Sequence, residues 1–162
     1  MLSPSAKGGI AEAAIAAEAI KHGAIVLRPI VEGGRYDLMF DVKGRWIRVQ
    51  CKWAPRKGNV IVVNMRTSRM TPRGYVRTTY ASAEVDAIAA YCPDLDRCYL
   101  IPIGEVLGRQ AIHLRLSPAV NNQEAAIRYA SSYELPGAIA QLGERRAGSA
   151  KVEGSSPSSS TS

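Results

Sequence analysis

Residues 35–52, RYDLMFDVKGRWIRVQCK, contain two apolar stretches separated by a short polar turn at residues 42–45. This pattern predicts a pair of neighbouring strands, the second folded back beside the first. Side chains alternate between the two faces of a strand, so Gln50 and Lys52 point to the same side. Asp37 stands at the start of the first strand, and we expect its side chain to converge with those of Gln50 and Lys52.

These three side chains together offer the chemistry of a metal-dependent phosphodiesterase. A divalent cation prefers hard oxygen ligands, which the Asp37 carboxylate and the Gln50 amide can supply. A lysine beside the cation can activate water or stabilise a charged phosphate oxygen, and Lys52 is placed to do so. Each residue also has a structural interpretation: Asp37 as a turn cap or a partner of Arg35, Gln50 as a cross-sheet hydrogen-bonding group, and Lys52 as a solvent-facing lysine.

The pattern resembles the PD-(D/E)XK nuclease superfamily, whose signature is an acidic residue, a variable gap and then acid-x-Lys. It is closer to a branch of small homing-type endonucleases associated with group I introns and mobile elements, in which Gln can replace the second acid, as Gln50 does here. The resemblance runs approximately from Lys7 to Leu135. Its other motifs are KGGIAE at residues 7–12, DAIAAYCPDLDRCYLIPI at residues 86–103, and LRLSPAVNNQEAAIRYASSYEL at residues 114–135.

The resemblance implies an α/β fold with a restriction-endonuclease-like core, in which a mixed β-sheet is flanked by α-helices, over residues 1–135. It implies Mg²⁺ as the cofactor, with Mn²⁺ as the alternative, and double-stranded DNA as the partner. A chain with one small site normally needs a second copy to cut both strands, so a homodimer or homotetramer is implied. The implied catalytic residues are Asp37, Gln50, Lys52 and Glu12. The implied metal ligands are Asp37, Gln50, Glu12 and the backbone carbonyl of Cys51.

Gln50 is the departure from the common pattern, because a neutral ligand should hold a cation more weakly than a carboxylate. By the resemblance, Glu12 on the first helix reaches the metal directly or through water and supplies the carboxylate that Gln50 lacks. The alternative for Glu12 is an exposed helix residue, which is how we interpret Glu18. The Cys51 side chain should face the core, where free cysteines usually lie.

A basic surface for DNA is predicted by the charge of the chain. The net charge is +7 and the isoelectric point about 9.6, which favours a polyanionic partner. Residues 66–77 hold four arginines and no acid, with Tyr75 among them and Tyr80 close behind; the alternative is a solvated basic loop. The residues predicted to bind DNA are Arg56, Lys57, Arg66, Arg69, Arg73, Tyr75 and Arg77.

The composition indicates one domain in a reducing compartment. A chain of 162 residues with 46% apolar residues can bury one core. Cys51, Cys92 and Cys98 form no CxxC pair, which argues against a zinc site and a disulfide scaffold. No apolar run reaches transmembrane length and we recognise no signal peptide, so we expect a cytoplasmic protein of a prokaryote, acting on nucleoid DNA and not on a membrane.

Hydrophobic periodicity and turn residues predict the order of elements. We expect helices over residues 10–22, 82–91 and 123–132. We expect strands over residues 24–29, 36–42, 45–53, 59–65 and 97–103, with an edge strand over 111–116. Residues 67–79 are predicted to form a loop. Asp41 is expected to be a turn residue, and Asn121–Gln123 either to cap the last helix or to read bases.

Residues 136–162 are predicted to be a disordered tail, because they lack a hydrophobic period and end in serines. Residues 154–157 can be encoded by GGT TCG AGT CCC, a tRNA T-loop sequence, and residues 140–144 by GCT CAG TTG GGA GAG, a tRNA D-arm. Codons can also be chosen so that the tRNA stems pair. We infer that the reading frame runs through a tRNA gene, a frequent insertion site of mobile elements; the alternative is coincidence allowed by codon degeneracy.

The sequence therefore predicts a site-specific, Mg²⁺-dependent DNA endonuclease of the homing type, associated with a tRNA gene or an intron. One alternative is a nuclease of the same chemistry that resolves Holliday junctions by their shape. Another is a DNA-binding module with a decayed nuclease site, of which Gln50 would be the first lesion.

Overall fold

The computed structural model of the protein describes residues 1–118 and 126–149, without the side chains of residues 68–70, 75, 77 and 145–149. The described α-helices are α1 Pro4–Lys21 and α2 Leu135–Ser149. Short 3-10 helices cover Ile103–Glu105 and Ala130–Tyr133. The described strands are β1 Ile25–Leu27, β2 Leu38–Val42, β3 Arg45–Trp53, β4 Arg56–Lys57, β5 Val60–Asn64, β6 Thr67–Thr71, β7 Gly74–Thr78, β8 Ala87–Cys92, β9 Arg97–Pro102, β10 Ala111–Arg115 and β11 Arg128–Tyr129.

The predicted first helix is confirmed as α1, which begins earlier than its apolar period suggests. The Ser3 side chain caps it by accepting a hydrogen bond of 3.1 Å from the Ala6 amide, and a proline follows at the first helical position. Ala11, Ile15 and Ala19, four residues apart, form its buried stripe. This stripe fixes which face of α1 lies on the sheet.

The β2–β3 hairpin has the pairing that residues 35–52 predict. Lys43 and Gly44 link the strands with φ angles of 53° and 79°, the left-handed pair that a two-residue type I′ turn requires. The Gly44 amide donates to Asp41 Oδ1 at 2.6 Å, so the predicted turn role of Asp41 is confirmed. Leu38 pairs with Val49, and this register places Asp37 beside the C-terminal half of β3.

A five-stranded mixed sheet in the order β1-β2-β3-β8-β9 forms the centre of the fold. Only β3 and β8 run parallel among its neighbouring strands. The helix predicted over residues 82–91 is wrong, because residues 87–92 form β8. Ala and Ile suit a helix by intrinsic propensity, but β8 lies between two strands with both faces covered, and the core position decides its structure.

Two further sheets lie outside the central one. The first has the order β11-β10-β5-β4, so β10 is an inner strand and not the predicted edge strand. The second is the β6–β7 hairpin, which replaces the loop predicted over residues 67–79. Pro72 and Gly74, which suggested an irregular segment, belong to the turn and its exit, and Gly74 has a φ of 111°.

The core consists of two apolar layers, one on each face of the central sheet. One layer joins the sheet to α1 and α2 and includes Phe40, Val49 and Leu135. The other joins it to the β5–β10 sheet and includes Ile88 and Ile61. This is the mixed α/β architecture predicted from the sequence.

The C-terminal part differs from its prediction. The helix predicted over residues 123–132 is wrong where the structure describes it, because Arg128–Tyr129 is a strand that pairs with β10 and Ala130–Tyr133 is a 3-10 helix. Residues 119–125, including Asn121–Gln123, lie outside the described residues. The disordered tail predicted from residue 136 is also wrong as far as residue 149, because α2 spans this stretch and Ile139 is buried against the first layer. The tRNA-gene inference stays a prediction.

Candidate active site

Asp37 lies immediately before β2, and its carboxylate faces β3. Its amide donates to the Val49 carbonyl at 2.9 Å, which fixes the backbone against the neighbouring strand. Asp37 Oδ2 accepts two hydrogen bonds, one from Gln50 Nε2 at 2.5 Å and one from the Cys51 amide at 2.8 Å. The predicted convergence of Asp37 and Gln50 is therefore observed, and the Gln50 amide is oriented by the carboxylate.

Burial and hydrogen bonding have opposite effects on the Asp37 carboxyl group. Burial raises the pKa of Asp37 above its ordinary value of 3.8. The hydrogen bonds from Cys51 and Gln50 and the positive charges of Lys52 and Arg28 lower this pKa, but the effect of burial is larger. A cation bound at this carboxylate would compensate for the water that the ionised group loses through burial.

Lys52 lies two residues beyond Gln50 on the same face of β3. Its Nζ donates to the Arg66 carbonyl at 3.2 Å and lies 5.0 Å from the centre of the Tyr80 ring. Burial lowers the pKa of Lys52, and the negative charge of Asp37 raises it in part. The ammonium group is thus half-buried and within electrostatic range of Asp37.

Glu12 projects from α1 into the same region. Glu12 and Asp37 line one cleft of about 260 Å³ beside Arg28 and Tyr36. Burial raises the pKa of Glu12, and the neighbouring charge of Asp37 raises it further. Arg28 Nη2 lies 2.6 Å from Glu12 Oε2, so this carboxylate is paired with an arginine.

Cys51 presents its backbone to the site and its side chain to the core. The side chain is 8% exposed and lies in the layer beneath the helices, as predicted. The N–H and C=O groups of one strand residue point to the same edge of the strand. Because the Cys51 amide donates to Asp37, its carbonyl points to the same edge, beyond the end of β2.

The residues around Asp37 fit a hard divalent cation by donor type. Glu12 and Asp37 offer carboxylate oxygens, Gln50 an amide oxygen and Cys51 a backbone carbonyl, which are the ligand types that Mg²⁺ accepts. Within the described residues no three His, Cys, Asp or Glu side chains group together as a metal cage, since Gln50 stands where a third acid would be. The site therefore suits Mg²⁺ with two protein carboxylates and water, and is less suited to softer metals.

Comparison with known proteins places this chain in a family. The sequence profile described as PD-(D/E)XK endonuclease matches residues 2–136. The chain belongs to the PD-(D/E)XK endonuclease family. Among solved structures, the bacterial homing endonuclease I-Ssp6803I is similar, with 29% identity, a TM-score of 0.70, and coverage of 94% of this chain and 100% of that one. No curated protein matches the sequence.

Membership of the PD-(D/E)XK endonuclease family confirms the predicted family and fold, and supports nuclease activity. Nucleases of this family generally use divalent metals, which agrees with the oxygen donors around Asp37. The catalytic roles stay predictions for all four residues, Asp37, Gln50, Lys52 and Glu12.

The basic residues predicted to bind DNA lie on two elements. Arg56 and Lys57 form β4 and are exposed. Arg66 precedes β6, where its guanidinium donates to Gln110, and Arg73 is exposed at the tip of the β6–β7 hairpin. Arg69, Tyr75 and Arg77 lie on β6 and β7, but their side chains are outside the described part of the chain.

Two residues near the site were missed or misjudged from the sequence. Arg28 was not predicted, because nothing in its spacing connects a residue after β1 to Glu12. Tyr80 was grouped with the DNA-binding arginines, but it is 7% exposed and contacts Lys52. It lies two residues beyond β7, a strand within the stretch predicted as a loop, so no sequence signal placed it at the base of the hairpin.

Proposed function

We propose that this protein is a homing-type DNA endonuclease that hydrolyses phosphodiester bonds at a Mg²⁺ centre. The observation that carries the proposal is the arrangement at Asp37, whose Oδ2 is held by both Gln50 and Cys51. The other carboxylate oxygen, Oδ1, has no such partner among the described residues and is available to a cation. Lys52 lies on the same face of β3 as Gln50.

Each residue has a defined task in this proposal. A divalent cation at the site would supply positive charge for polarising a phosphodiester and lowering the pKa of water. Asp37 and Glu12 would hold it, with the Gln50 amide oxygen and the Cys51 carbonyl completing the protein ligands. The Lys52 ammonium would stabilise negative charge that develops on the phosphate.

Gln50 fits an active site as well as a decayed one. Its amide donates to Asp37, which an acidic side chain could do only when protonated. The amide therefore orients the principal metal ligand while keeping an oxygen for the cation. Since this role uses both the nitrogen and the oxygen of the amide, we favour a functional glutamine over the lesion of a binding module.

The DNA is proposed to lie along the exposed basic residues of β4 and the β6–β7 hairpin. Contacts from Lys and Arg to phosphates position a duplex, and arginines can also read guanine edges. The similarity to a bacterial homing endonuclease supports a duplex substrate, association with a mobile element, and a homodimer or homotetramer that cuts both strands. A prokaryotic cytoplasm and the neighbouring tRNA gene belong to the same proposal.

The proposal is tested by cleavage of plasmid DNA and of a linear duplex carrying the neighbouring tRNA gene with its flanks. Wild-type protein should cleave with Mg²⁺ and not with EDTA. Asp37→Asn and Lys52→Ala should lose cleavage while keeping DNA binding. Asp41→Asn is the matched control. Asp41 lies on β2, the strand that follows Asp37, where it accepts a hydrogen bond from the Gly44 amide of the turn and takes no part in the site.

Three outcomes would change the assignment. Cleavage by Asp37→Asn and Lys52→Ala at the wild-type rate would remove the proposed site. Preference for four-way junctions over linear duplex would identify a junction resolvase. Tight DNA binding by the wild type, without cleavage under any divalent metal, would identify the non-catalytic binding module.

A further inference from the structure

Lys52 is held by the two ends of the β6–β7 hairpin. Its Nζ donates to the carbonyl of Arg66, the residue before β6. The same ammonium lies 5.0 Å from the ring centre of Tyr80, two residues after β7. Neither contact is with a residue of the acid-x-Lys motif.

We propose that Tyr80 is a positioning residue for Lys52. The face of the Tyr80 ring, together with the Arg66 carbonyl, holds the Lys52 ammonium on the side of Asp37. The inference rests on the proposed nuclease function and adds to it a residue outside the signature. It also makes the base of the hairpin part of the active site.

The chemistry of the contact explains why an aromatic ring suits this place. Lys52 is partly buried, so its ammonium has lost part of the water that would otherwise solvate its charge. The negative face of an aromatic ring attracts the ammonium without adding a charge that would compete with Asp37 for it.

Tyr80 is itself fixed and stays neutral. It is 7% exposed and packs in the apolar layer between the two sheets. Burial raises the pKa of Tyr80, and Asp37 raises it further, so the phenol does not ionise near neutral pH. The ring therefore acts as a permanent support rather than as an acid or base.

The test replaces the ring in steps that change its electrostatics more than its shape. Tyr80 is exchanged for Phe and then for phenylalanines with increasing fluorination, which weakens the negative ring face. Tyr80→Leu removes the ring, and Tyr133→Leu is the control for lost aromatic packing, since Tyr133 packs in the layer between the two sheets. Cleavage rate, DNA binding and melting temperature are measured for every variant.

We expect Tyr80→Phe to cleave within about twofold of wild type, because the ring is retained. Cleavage should then fall stepwise with fluorination, and Tyr80→Leu should lose roughly 5- to 30-fold, the range of a half-buried cation–π contact. DNA binding should be kept, because the ring acts on the ammonium of Lys52 and is itself buried. Tyr133→Leu should keep the cleavage rate of wild type.

The outcomes separate this inference from the proposed function. If Lys52→Ala abolishes cleavage but the fluorinated series is flat and Tyr80→Leu cleaves at the wild-type rate, the positioning role is wrong and the nuclease stands. If wild type does not cleave, or Lys52→Ala cleaves normally, the proposed function itself fails. A poorly folded Tyr80→Leu leaves the fluorinated series, which keeps the shape of the ring, to decide.

Discussion

Gln50→Glu, which restores the acid common in this family, should turn an attraction at Asp37 into a repulsion. Gln50 Nε2 donates to Asp37 Oδ2 at 2.5 Å, and glutamate at the same place has no hydrogen to donate when ionised. Two carboxylates would then share one site, a situation that raises the pKa of one of them strongly. A bound divalent cation would remove the conflict.

The size of the effect follows from the hydrogen bond and the added charge. A hydrogen bond to a charged group contributes about 1.5–3 kcal/mol. Two like charges about 4 Å apart repel by about 4 kcal/mol at an effective dielectric constant of 20. One carboxylate can escape the repulsion by taking up a proton, which costs about 3.7 kcal/mol at pH 7 for an ordinary glutamate pKa. This cost sets an upper limit on the loss of stability. We expect the metal-free variant to lose about 2–4 kcal/mol of unfolding free energy.

Urea unfolding with and without Mg²⁺ measures this loss, and titration calorimetry measures the metal affinity. The loss should disappear as the pH falls below the unfolded glutamate pKa of about 4.3, because the added carboxyl group is then neutral in both states. Mg²⁺ at about 100 times its dissociation constant should return about 2.7 kcal/mol. Gln141→Glu adds the same charge at an exposed position of α2, away from the site, and should show neither the loss of stability nor its recovery with Mg²⁺.

A Gln50→Glu protein that is as stable as wild type without metal, and that binds Mg²⁺ no more tightly, would refute the reasoning. Such a result would mean that positions 37 and 50 do not share a site in solution. If stability is lost and Mg²⁺ does not recover it, the side chains at positions 37 and 50 lie together but do not bind a metal.

Three other predictions follow from the surroundings of the site. Arg28→Gln removes the cation paired with Glu12 and should tighten Mg²⁺ binding by about two- to fivefold, a small change because the Arg28 side chain is 72% exposed; unchanged affinity in calorimetry would contradict it. Burial raises the pKa of both Asp37 and Glu12, and Mg²⁺ binds their ionised forms. As the pH is lowered, the Mg²⁺ affinity measured by calorimetry should therefore begin to fall at pH values above the ordinary pKa values of 3.8 and 4.5. A fall that occurs only below those pH values would contradict this prediction. Arg73→Ala at the hairpin tip should weaken binding to every duplex and reduce the salt slope of log K by about 1 in fluorescence anisotropy, whereas a loss confined to one sequence would indicate base readout.

The pairing of β2 with β3 was predictable because local rules decide it. Alternating apolar residues, together with a two-residue turn that Lys43 and Gly44 complete, leave one register in which the apolar side chains share a face. That register alone brings Asp37 to Gln50. The part of the candidate site formed by Asp37, Gln50 and Lys52 could therefore be predicted from eighteen consecutive residues.

The missed elements depend on contacts that are distant in sequence. Residues 87–92 favour a helix locally, but pairing with β3 and β9 makes them a central strand. The start of α2 lacks a strong period, and burial of Leu135 and Ile139 against the central sheet accounts for its helical structure. Arg28 and Tyr80 reach the site from β1 and from the end of β7, and no spacing rule connects those positions to β3.

A crystal structure with Mn²⁺, located by its anomalous scattering, tests the metal centre most directly. We expect one ion within about 2.0–2.3 Å of Asp37 Oδ1, the Gln50 amide oxygen and the Cys51 carbonyl, with Glu12 bound directly or through water. Lys52 should lie beside it, against the Tyr80 ring. An ion bound elsewhere, or no ion at saturating Mn²⁺, would contradict the metal centre on which the nuclease mechanism depends.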